Sequence, residues 1–241
     1  MKTALPPPPV SPLLRLLFEP WMTVKRAALR PRLARPVYER VLGRDFAVWP
    51  GVFNPVIFRT GKFLADFIES SPLLEPRYPG AAALDVGTGC GVLAVAAALR
   101  GYRTTAIDVV ATTVACARAN AALNKVDVEV LLGDLFAPVA GRRFEVVLFS
   151  LPKFRGTPKS SFEITWRSPD IIDRLCAELP SVLAPNGTAF FVLTSHGDCE
   201  GMLNGLAKAG LAVERVMWRH FGNETLAVYQ AKREISASGS I

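Results

Sequence analysis

The 241-residue chain is predicted to fold as an α/β domain. The expected core is a doubly wound, seven-stranded, mostly parallel sheet with helices on both faces and an antiparallel C-terminal edge hairpin, behind an N-terminal helical extension. Three observations lead there. From about residue 60, short apolar runs alternate with segments of helical period, as buried parallel strands joined by crossover helices do. The run at 82–86 passes directly into Gly87-Thr88-Gly89-Cys90-Gly91, with glycines at alternate positions opening a helix. The last two runs are separated by little more than Gly222-Asn223, a hairpin turn rather than a crossover.

The elements follow in order. Residues 1–12 are proline-rich and read as extended or disordered. Leucine-rich helical patterning from Leu13 to Arg44 is broken by Pro20, Pro31 and Pro36, which predicts two or three short helices. A turn-rich lead-in, Phe46 to Pro55, precedes a helix over 60–68, apolar at Phe63, Leu64, Phe67 and Ile68. Strands are expected at 82–86, 103–107, 127–131, 144–149, 187–193, 212–218 and 224–231. Helices are expected at 91–100, 111–124, 168–184 and 200–209. The domain assignment is thus a basic extension over 1–45, a catalytic-type domain over 46–234 and a disordered tail over 235–241.

Composition narrows the function. Half the residues are apolar and the net charge is +7. Nine basic residues against three acidic ones fall within residues 1–45, so the extension holds six of the seven net charges. That extension is read as a lid over the site or a dimer contact. A nucleic-acid partner is not favoured, since basic surface helices are usually only solvated. Cys90, Cys116, Cys176 and Cys199 are too far apart in sequence for a zinc or disulfide framework, and no metal is expected. Reduced thiols suit a cytoplasmic protein. No run approaches the roughly 20 apolar residues of a membrane span, and Pro6 to Pro9 break any leader helix.

Alternate glycines let the backbone approach a ligand closely, and the helix behind them aims free N–H groups at the same place. That arrangement suits a nucleoside cofactor. Asp85, just before the first glycine, would repel a pyrophosphate but attract an ammonium group, which favours S-adenosylmethionine (SAM) over NAD. The competing frame Gly89-x-Gly91-x-x-Ala94 would fit a dinucleotide fingerprint. Asp108 closes the second strand about 20 residues on, where a carboxylate accepts ribose hydroxyls.

These residues resemble the class I SAM-dependent methyltransferases, a Rossmann-like superfamily whose first motif is an acid followed by Gly-x-Gly-x-Gly. The resemblance implies SAM as cofactor, held by Asp85, Gly87, Thr88, Gly89, Gly91, Asp108, Val109, Asp134, Leu135 and Ser150. Asp134, in Leu132-Gly133-Asp134-Leu135-Phe136, would take the adenine amino group. Val52-Phe53-x-Pro55, Trp166 and Ile171-Ile172-Asp173-Arg174-Leu175 look like the HemK/PrmC-type glutamine methyltransferases. That family's Asn-Pro-Pro-Tyr tetrapeptide is here Ser150-Leu151-Pro152-Lys153, followed by Phe154. A serine lacks the paired donor and acceptor of an amide.

Catalysis would then involve Ser150, Leu151, Pro152 and His196, the histidine as general base. Phe53, Lys153, Phe154 and Trp166 would meet the substrate. The function expected is methylation of an N or O atom of a small molecule or peptide. The alternatives are glutamine methylation of a release-factor-type protein, a cofactor-binding module without catalysis, and nucleic-acid methylation.

Overall fold

The computed structural model describes residues 4–11, 13, 24, 28, 29, 31–150, 154–158, 163 and 166–234. Most of the helices expected over 13–30, the residues Leu151, Pro152 and Lys153, and the tail lie outside them. In chain order the elements begin with β1 (Val37–Val41), β2 (Arg44–Val48), α1 (Thr60–Ser70), β3 (Ala82–Val86), α2 (Val92–Leu99), β4 (Arg103–Asp108), α3 (Ala111–Leu123), β5 (Val128–Leu132) and β6 (Phe144–Phe149). There follow β7 (Phe154–Arg155), β8 (Arg167–Ser168), α4 (Ile171–Val182), β9 (Leu183–Thr194), α5 (Cys199–Lys208), β10 (Leu211–His220) and β11 (Thr225–Arg233).

Seven strands form one sheet in the order β10-β11-β9-β6-β3-β4-β5. β3 pairs in parallel with both β4 and β6, while β11 runs antiparallel between β9 and β10. The expected α/β fold and its edge hairpin are both present. β3 lies at the centre, all five of its residues buried, so it carries no polar face and holds Asp85 as an acid inside the core.

Two apolar layers flank the sheet. On one face α4 and α5 cover a ring ladder, Phe149 on Phe191 at 4.8 Å and Phe191 on Tyr229 at 5.5 Å. On the other, α1, α2 and the first hairpin cover Leu148, Phe190 and Val228. Phe191 is fully buried, so truncating it to alanine should cost about 3–5 kcal/mol.

The extension departs from expectation. Residues 37–48 form an antiparallel hairpin rather than helix, straddling the expected boundary at residue 45. The reason is the Leu42-Gly43 turn, in which both residues have positive φ, 54° and 67°. That is what a two-residue hairpin turn needs. Flanking Val37, Tyr38, Val41, Phe46 and Val48 suit strands. Earlier in the chain, residues 4–10 run as an extended strap. The Tyr229 hydroxyl donates to the Leu5 carbonyl and Arg215 to the Pro6 carbonyl, each at 2.8 Å.

Candidate functional site

A cavity of about 270 Å³ opens beyond the C-terminal ends of β3, β4, β5 and β6. Such crevices are where open α/β sheets bind ligands. Its floor is the glycine loop. The Gly87 and Thr88 amides both donate to the Ile107 carbonyl, at 2.9 and 3.0 Å, and the Gly89 amide donates to Asp108 Oδ2 at 3.1 Å. Gly87, Gly89 and Gly91 all have positive φ. At Gly91 glycine is required twice over, because an added Cβ would also press on the Ala117 backbone at 3.2 Å. Gly91 therefore sets the close approach of α2 to α3 and does not itself line the cavity.

Asp85 does not reach the cavity as expected. It is fully buried behind the loop, where its Oδ2 accepts the Thr88 hydroxyl at 2.6 Å and the Ala94 amide at 3.1 Å. Its first task is internal, tying the loop to the first turn of α2. Residue type alone cannot say on which side of a loop a carboxylate lies. Oδ1 has no partner among the described residues. Burial pushes the carboxyl up to about 7, against the two hydrogen bonds and helped by the nearby Asp108 charge.

Asp108 does line the cavity. Its two oxygens accept the Gly89 and Val110 amides, each at 3.1 Å. Each oxygen keeps a further lone pair for a ligand hydroxyl. Burial raises its pKa, and the Gly89 and Val110 amides work against the rise. Asp134, Leu135, Val109, Ser150 and Phe53 also line the cavity. Leu135 is buried in the left-handed region at φ 46°, a strained conformation for a leucine that turns the chain under the site.

Phe53 arrives on a loop held by buried polar groups. Asn54 is fully buried; its Oδ1 accepts the Val56 and Ile57 amides and its Nδ2 donates to Glu39 Oε1 at 2.8 Å. Arg32 donates to the same Glu39 oxygen at 2.8 Å. The hairpin thus fixes the loop that roofs the cavity. Phe53 stacks on Phe58 at 4.5 Å, and Phe58 meets Trp166 at 5.7 Å.

Behind β6 the chain is pinned again. The Phe154 amide donates to the Trp166 carbonyl at 3.0 Å, and Arg155 forks onto Asp173 at 2.6 and 2.9 Å. Ser168, Ile171 and Arg174 complete the wall.

Of the residues expected from sequence, the cavity gathers Phe53, Gly87, Thr88, Gly89, Asp108, Val109, Asp134, Leu135 and Ser150. Phe154 and Trp166 stand outside that lining, joined to it through Phe58 and Ser168. His196 also lies outside, in the turn after β9. That turn folds toward β11, with the Ser195 amide on the Thr225 carbonyl. Sequence reasoning passed over Asn54, Asn120 and the site role of Arg174. Among the described residues no cluster of three or more His, Cys, Asp or Glu could hold a metal, and no helix is long and apolar enough to cross a membrane.

The residues fit a SAM-type ligand. Asp108, a carboxylate with lone pairs to spare, lines the cavity; Asp85 Oδ1 is buried behind the loop without a partner among the described residues; and an added Cβ at Gly89 would meet only Phe53 at 4.0 Å. Comparison with known proteins agrees. Residues 47–217 match the methyltransferase small domain. The ribosomal RNA small subunit methyltransferase C of Alcanivorax borkumensis is 31% identical over 153 residues, covering 63% of this chain and 43% of that protein. The release factor glutamine methyltransferase of Shewanella oneidensis is 31% identical over 140 residues, covering 57% of this chain and 49% of that one. The chain therefore spans about half the length of these relatives. In fold it is similar to a Thermus thermophilus 16S rRNA N2 methyltransferase in complex with AdoMet and guanosine, with TM-score 0.60 and 18% identity, over 83% of this chain and 50% of that one. Relatives named for rRNA remove the ground for setting nucleic acid aside.

Proposed function

The chain belongs to the methyltransferase small domain family, whose cofactor is SAM, and on that premise we propose that it methylates an N or O atom on a flat group of a small molecule or peptide. The observation that carries the reading is Asp108, which accepts the Gly89 amide and lines the cavity with lone pairs to spare.

Asp108 would accept the ribose hydroxyls, and Asp134 the adenine amino group. Gly87, Thr88, Gly89, Val109 and Leu135 would shape the pocket between them. Asp85 would act on the cofactor indirectly, by holding the Thr88 hydroxyl and the Ala94 amide that fix the loop. The chemistry that SAM supplies is a methyl carbon on a positively charged sulfur. For such a displacement the protein's main contribution is alignment. Ser150, at the end of β6, would orient the acceptor by its hydroxyl; the expected roles of Leu151 and Pro152 fall on residues outside the described ones. Phe53 would pack on the acceptor's face, with Phe58 and Trp166 behind it. Lys153 suits an acidic substrate. A base role for His196 would need its turn to move toward the cavity, so the acceptor's own basicity is the better fit.

Two other readings have specific support. The resemblance to HemK/PrmC-type enzymes, together with the Shewanella relative, favours a protein glutamine. The rRNA relatives favour an RNA base. Incubating the protein with tritiated-methyl SAM and a fractionated extract separates these outcomes. Label in the dialysable or peptide fraction supports the proposal. RNase-sensitive label would replace it with the RNA reading, and label on an intact protein's glutamine with the HemK-like one. Absence of any label beside measurable SAM affinity would leave a binding module.

A further inference from the structure

Arg174, on the first turn of α4, lines the same cavity as Asp134 and donates Nη2 to Asp134 Oδ2 at 2.6 Å. Asp170 and Glu178 sit one turn to either side of it, at 3.9 and 4.0 Å. Those two belong to the arginine's own helix. Among the described residues Asp134 alone crosses to Arg174 from the β5 side, so this contact joins the cavity's two walls. It occupies Oδ2 and leaves Oδ1 for a ligand.

We propose that Arg174 is a positioning residue that sets the base specificity of the cofactor site. By holding Oδ2 it presents Oδ1 as a fixed acceptor, which takes the exocyclic amine of an adenine and repels a carbonyl in its place. The proposal rests on the adenine role given to Asp134 above.

The physical need is plain. The Asp134 side chain is half exposed, and a carboxylate in that setting rotates and hydrates freely. A rotating acceptor pairs with amine or, through a bridging water, with carbonyl, and discriminates weakly. A guanidinium on one oxygen stops the rotation. An exposed pair of this kind contributes little to fold stability, so its effect should appear in ligand selection and not in melting temperature.

Calorimetric titration with S-adenosylhomocysteine and with S-inosylhomocysteine, which carries a carbonyl where adenine has its amine, tests this. The wild-type chain should prefer the adenosyl compound by about tenfold or more, the scale of one charge-assisted hydrogen bond lost. Arg174→Met should bring the two affinities within about threefold, at a melting temperature close to wild type, and Arg174→Lys should restore part of the preference. Asp134→Asn should abolish the preference as well. If Asp134→Asn abolishes it while Arg174→Met and Arg174→Gln keep it, the role of Arg174 is overturned and that of Asp134 stands. If Asp134→Asn also keeps it, the adenine assignment falls and takes this inference with it.

Discussion

Asn120 and Ala47 are joined as one rung of a sheet would join them. The Asn120 Oδ1 accepts the Ala47 amide and its Nδ2 donates to the Ala47 carbonyl, both at 2.7 Å. The same Nδ2 reaches the Cys90 carbonyl at 2.8 Å. One fully buried side chain on α3 therefore couples the first hairpin to the glycine loop. Asn120→Ala would strand the Ala47 amide and the Cys90 carbonyl, while the Ala47 carbonyl keeps the Cys116 thiol at 3.3 Å; each stranded group costs about 1–3 kcal/mol. Urea denaturation should show a loss of about 2–6 kcal/mol, with weaker S-adenosylhomocysteine binding. A loss under 0.5 kcal/mol would mean water replaces the amide.

The ribose assignment has a direct check. Asp108→Ala removes both the ligand acceptor and the tether on Gly89. Affinity for S-adenosylhomocysteine should fall at least tenfold, about 1.4 kcal/mol, with the far-UV dichroism unchanged. Unchanged affinity by calorimetry would remove Asp108 from the site.

Asp85 predicts an unusual pH dependence. Its folded pKa stands near 7, above the usual carboxylate value near 4, so between those values the native state holds a proton that the unfolded chain releases. Stability of the ligand-free protein should therefore decline as pH rises from about 4 through 7. Asp85→Asn should remove that part of the slope. Melting curves at half-unit steps from pH 5 to 8 decide it; parallel curves for the two proteins would show that Asp85 does not titrate there.

Ser150 and Asn54 separate chemistry from roofing. Ser150→Ala should slow turnover while leaving cofactor affinity within about twofold; wild-type kinetics would put the acceptor elsewhere.

Asn54→Ala frees the Val56 and Ile57 amides, so their hydrogen exchange should speed up and KM for the acceptor should rise several-fold. Slow exchange at both amides would show the roof loop held by its packing alone.

The sheet was legible because parallel strands covered on both faces are uninterrupted apolar runs, and because Gly87, Gly89 and Gly91 mark one turn only. Asp108 was legible from its distance to that turn. The hairpin was not, since the helical patterning that starts at Leu13 was extended to Arg44, past a turn set by two positive φ angles at Leu42 and Gly43. Asp85 was misplaced because a sequence shows a charge but not which side of a loop it faces. Arg174 and Asn54 act through partners 40 and 15 residues away, a separation no local pattern encodes. Asn120 did leave a trace: with Thr113, Cys116 and Ala117 it falls on the buried stripe of α3, where an amide asks for partners.

Gly87, Thr88 and Gly89 are anchored to β4 by their own amides, so the cradle takes its shape as the domain folds. Capture then resembles a key meeting a rigid lock. Association should run near the encounter rate, and related nucleosides should differ chiefly in how long they stay.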